Sequence, residues 1–99
     1  MTFRAVIAWL DEHLGRTVIA TVLDSPQTTG NSGAVLRGEL REGTQAWGLI
    51  DSRGGGLHGY DVGEGGGFFL LEGDFVGAEV DEGHLLVELR ELQINVGVV

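Results

Sequence analysis

Residues 3–23 read FRAVIAWLDEHLGRTVIATVL, and the passage changes its period at Gly15. Before the glycine, Phe3, Val6, Ile7, Leu10 and Leu14 recur at the spacing of one apolar helix face. After it, Thr17–Leu23 is β-branched at five of seven positions, the composition that strands favour. Gly15 supplies the left-handed residue on which helices commonly end. The spacing therefore predicts a helix over residues 2–14, capped by Thr2, that leads directly into a strand. Trp9 widens the apolar face.

Working outward, residues 24–33 (DSPQTTGNSG) are rich in turn formers and predict a loop. Ala34–Glu42 alternates, with Ala34, Leu36, Gly38 and Leu40 on one side and Val35, Arg37, Glu39 and Arg41 on the other. Ala46–Asp51 (AWGLID) reads as a short third strand. Residues 51–67 hold eight glycines in seventeen positions and read as a mobile glycine-rich loop or insertion. Strand character resumes at Phe68–Glu72, Phe75–Val80 and His84–Leu92, divided at Gly73–Asp74 and at Asp81–Gly83. Ile94, Val96 and Val98 repeat at period two, which suits a C-terminal strand held in a sheet within the fold or between subunits.

These elements predict one mainly β domain over residues 1–99: a small barrel or strongly bent antiparallel sheet with one N-terminal α-helix. A helix ending in Leu14–Gly15, the strand TVIATVL, a polar turn and a strand carrying Gly38–Glu39–Leu40 together resemble the opening of Sm-like small barrels. The resemblance covers residues 3–42 and implies an SH3/Sm-like, ring-forming scaffold. RNA-binding members place Asp and Asn after the second strand and an Arg-Gly pair near the end. Here Arg41–Glu42–Gly43 and Leu89–Arg90–Glu91 stand in those places, so no RNA-contacting residue is carried over.

Six arginines, no lysine and fifteen acids give a net charge of −9. Binding to nucleic acid or to an anionic membrane needs a cationic face to engage phosphates, and the chain has little material for one. No apolar stretch approaches the length of a membrane span or a secretory leader, so a soluble cytoplasmic protein is expected. The absence of cysteine excludes disulfides and thiolate chemistry.

Arg53–Gly56 lacks the lysine of a phosphate-binding loop, and the segment after Gly67 reads as strand rather than helix. No serine stands in a nucleophile-elbow context, so no catalytic residue is assigned. His58, Tyr60, Asp61 and Glu64 in the 51–67 segment, with His84, are the candidate ligand-binding residues. Imidazole and carboxylates at this spacing suit a divalent ion or acid–base chemistry, but a glycine loop offers no rigid second shell, and no metal or cofactor is expected. The sequence thus predicts a non-enzymatic assembly or binding module, a homo-oligomer by edge-strand pairing or the receiver of a protein partner. The alternative is a small enzyme or small-ligand or metal-binding protein using the 51–67 segment.

Overall fold

The computed structural model describes residues 1–24, 33–43 and 57–99. Helix α1 spans Phe3–Glu12. Its N-terminus is closed by Thr2, whose Oγ1 accepts the Ala5 N–H at 3.1 Å. Phe3, Val6 and Leu10 are its buried residues. The helix stops two residues short of the expected Leu14. The His13 and Leu14 amides donate to Leu10 and Asp11, three residues back, so the last turn tightens into a 3₁₀ geometry. Leu14 is left exposed. Gly15 follows at φ +88°, and its N–H donates to the Leu40 carbonyl at 2.8 Å, fastening the helix exit to the sheet.

Seven strands follow among the described residues: β1 Thr17–Asp24, β2 Gly33–Glu42, β3 Leu57–Val62, β4 Gly66–Leu71, β5 Phe75–Asp81, β6 His84–Leu89 and β7 Leu92–Val98. One turn of 3₁₀ helix over Glu72–Asp74 joins β4 to β5. Between β5 and β6, Glu82 and Gly83 both take positive φ, the twist that suits a two-residue hairpin. All pairings are antiparallel, in the spatial order β4-β3-β2-β1-β7-β6-β5. The C-terminal strand is thus held inside the fold, between β1 and β6.

Two expectations are corrected. The sheet is not closed into a barrel, because β4 and β5 end it without pairing to each other. The 51–67 segment is not one loop: Leu57–Val62 is a strand and Gly66–Gly67 opens another. His58, Tyr60 and Val62 carry period-two alternation through the glycines, and Tyr60 and Val62 are buried in the core. Gly67 faces Asp61 in the ladder, where a Cβ would lie 2.4 Å from the Tyr60 carbonyl oxygen. Here glycine permits close strand contact, which composition alone reads as looseness. The strand expected at Ala46–Asp51 lies outside the described residues.

The sheet is nevertheless strongly curled. β3 and β5 are five strand spacings apart, about 24 Å if flat. Yet the Phe3 ring centroid lies 5.7 Å from that of His58 on β3 and 5.6 Å from that of Phe75 on β5. β2 makes the curl possible by changing partners near Gly38. Residues up to Glu39 pair with β1, and Leu40–Glu42 pair with β3. Gly38 sits at φ +155°, with Gly63 so close that a Cβ would lie 2.5 Å from the Gly63 Cα. Val18, Ala20, Leu40, Phe68, Leu70, Leu85, Val87, Ile94 and Val96 fill the concave side under α1.

Candidate functional site

Strand alternation decides where each candidate residue points. His58, Tyr60 and Val62 share the core face of β3, while Asp61 lies on the other face. Tyr60 is 2% exposed, and its hydroxyl donates to Asp11 Oδ1 of α1 at 2.9 Å. Burial pushes the Tyr60 hydroxyl above its ordinary range, helped by that hydrogen bond and by the negative charges of Asp11 and Glu42. A tyrosine held this firmly protonated is a fixed donor, poorly suited to act as a base. His58 is half-buried against Phe3. Glu64 is exposed in the β3–β4 turn.

His84 opens β6 on the outer face, opposite Gly97 of β7, and its ring occupies the space a Gly97 Cβ would take. Thus the fold brings His58 and Tyr60 onto one face, and Asp61, Glu64 and His84 do not converge with them. Among the described residues no cluster of three or more His, Asp or Glu could hold a metal ion. Asp11 joins the site from the last turns of α1. Its Tyr60 contact spans 49 positions, and no local pattern signals it.

What the described residues do present is apolar surface. On β5, Val80 lies opposite Leu85 in the ladder, and directly opposed residues point to the same side. Leu85 is 1% exposed, whereas Val80 is 42% exposed, because among the described residues no further strand covers it at the sheet's end. Val76, beside the bulge at Phe75/Gly77, is also exposed. Glu79 and Asp81 flank Val80 on the outer face. A second surface lies on the outer face of β1 and β2, where Ile19, Leu23 and Val35 are exposed, Val35 to 70%. Arg37 stands beside Ile19 in the register, and Arg16 is exposed just before β1.

A cleft of about 240 Å³ opens between β1, β2, β4 and β7, lined chiefly by Val22, Leu36, Phe68, Phe69, Leu92 and Ile94. No described helix is long and apolar enough to cross a membrane. No protein-family model matches the chain, nor does any curated protein or solved structure compared with it.

Proposed function

We propose that the chain is a non-enzymatic assembly module on an Sm-like scaffold, which self-associates through the β5 end of its sheet. The observation that carries this reading is Val80, a core-side valine left 42% exposed on a terminal strand. A sheet edge offers backbone donors and acceptors as well as side chains, and such edges are ordinarily covered, charged or paired. Glu79, Asp81 and the bulge discourage indiscriminate pairing, while Val76 and Val80 reward a matched partner. At a net charge of −9 that partner is protein rather than nucleic acid.

Native mass measurement across the micromolar range tests the proposal. The expected result is a defined oligomer that Val80→Lys reduces to monomers without changing the circular dichroism spectrum. A monomeric wild-type protein throughout that range would overturn it.

The cleft favours a second reading, a module taking a small apolar ligand, since Gly66 and Gly67 of the glycine-rich segment help to line it. Saturable binding of an apolar fluorophore, abolished by Ala34→Trp at the cleft wall, would support that alternative.

A further inference from the structure

Resting on the second reading, that of a small apolar ligand, we infer that the cleft selects a hydrophobic amine, whose apolar body fills the cleft while Asp24 receives its ammonium group. The place for the body is the cleft of about 240 Å³, with Val22, Leu36, Phe68, Leu92 and Ile94 among its walls. An apolar cavity of about 150 Å³ takes benzene, so this one has room for a ring with a short alkyl tether. Val22, Ala34 and Leu92 also line a second cleft of about 260 Å³, which therefore adjoins the first. Asp24 lines that second cleft.

Strand register settles the side to which Asp24 belongs. Along β1, Asp24 follows Val18, Ala20 and Val22 at period two, on the side where Val18 and Ala20 are buried. It also stands directly opposite Leu92 of β7, which lines both clefts, and directly opposed residues share a face. Asp24 is half-buried and lies two residues past Val22, about 7 Å along the strand, within reach of an amine on a short tether. Among the described residues lining either cleft, it alone carries a charge. A carboxylate accepts several hydrogen bonds, so an ammonium can join the contacts that Asp24 makes within the chain. A fatty acid would instead set a second carboxylate beside Asp24, with no described arginine in the lining to receive it, and like charges so placed repel. The net charge of −9 draws cations from solution in the same sense.

The test titrates the full chain at neutral pH with phenylpropylamine, phenylpropanol and phenylpropionate, three probes of one body that differ in the charge of the head group. The amine should bind about tenfold tighter than the alcohol, because a hydrogen bond to a charged partner is the stronger kind, and the carboxylate should bind weakest. Asp24→Asn, with circular dichroism and the urea midpoint confirming its fold, should bring the amine down to the level of the alcohol and leave the alcohol unchanged. Rising salt should shrink the amine's advantage in wild type. Equal binding of amine and alcohol, tightest binding of the carboxylate, or an amine preference that survives Asp24→Asn would overturn the inference. If the alcohol still binds saturably and Ala34→Trp abolishes it, the cleft reading stands without the amine. Failure of all three probes to bind at up to about 10 mM would overturn the cleft reading and the inference together.

Discussion

Tyr60 ties the helix to the sheet through one polar contact in an otherwise apolar interior. Its hydroxyl meets Asp11 at 2.9 Å, and a hydrogen bond to a charged acceptor contributes about 1.5–3 kcal/mol. Tyr60→Phe should lower the unfolding free energy by roughly that amount at neutral pH. Alkali adds a second signature. The folded protein holds the Tyr60 proton more tightly than the unfolded chain, where tyrosine titrates near pH 10. Above about pH 10 the unfolded state loses a proton that the folded state keeps, so stability falls as pH rises. Urea midpoints at about pH 8 and pH 11 should therefore drop further for wild type than for Tyr60→Phe, and equal drops would remove Tyr60 as the cause.

Gly38 offers a steric test at the same scale. An alanine there places its Cβ against the Gly63 backbone, which cannot swing aside, at a φ that side chains rarely adopt. Gly38→Ala should destabilise by about 1–3 kcal/mol or more. Gly73→Ala, with nothing within 4 Å of its added Cβ, should leave the urea midpoint nearly unchanged.

Among the elements, α1 carries the most for its length. It buries Phe3, Val6 and Leu10, and through Phe3 it bridges β3 and β5, which the sheet alone leaves apart. Leu10→Ala should cost about 2–5 kcal/mol, while exposed Glu12→Ala should change the midpoint little. Equal small losses would mean that the helix is not part of the core.

β3 is the element that composition conceals. Its alternation of His58, Tyr60 and Val62 is short and set among glycines, so high local glycine content outweighs the periodic signal. Deleting residues 57–62 should abolish cooperative unfolding, since it removes Tyr60 and Val62 from the core and strips β4 of its paired neighbour. A folded deletion variant with a sharp urea transition would contradict this placement of β3.

The whole molecule is an open sheet curled around one core, with acidity distributed over most of its surface elements. A domain at −9 gains nothing from counterion release, so titration with RNA at near-physiological salt should give no binding in the micromolar range. Tight, steeply salt-dependent binding would refute that expectation. On the outer face of β1 and β2, Arg37 stands beside exposed Glu39, and Arg41 already donates to the Gly63 carbonyl.

The amino-acid sequence by itself determined the local elements: the Thr2 cap, the helix up to the glycine exit at Gly15, the alternating strands after it, and the break between strands at Asp81–Gly83. Each follows from rotamer, φ and period preferences acting over a few neighbouring residues. Only the tertiary structure decided that β7 lies beside β1, that β4 and β5 remain apart, and that Phe3 reaches both His58 and Phe75. The same holds for the candidate site. Val80 is apolar and alternating in sequence like the buried Leu85 opposite it, and its place on the last described strand leaves it uncovered. These outcomes depend on contacts between distant parts of the chain, whose geometry is set by how far the sheet curls before its core is filled, and no local pattern encodes that distance.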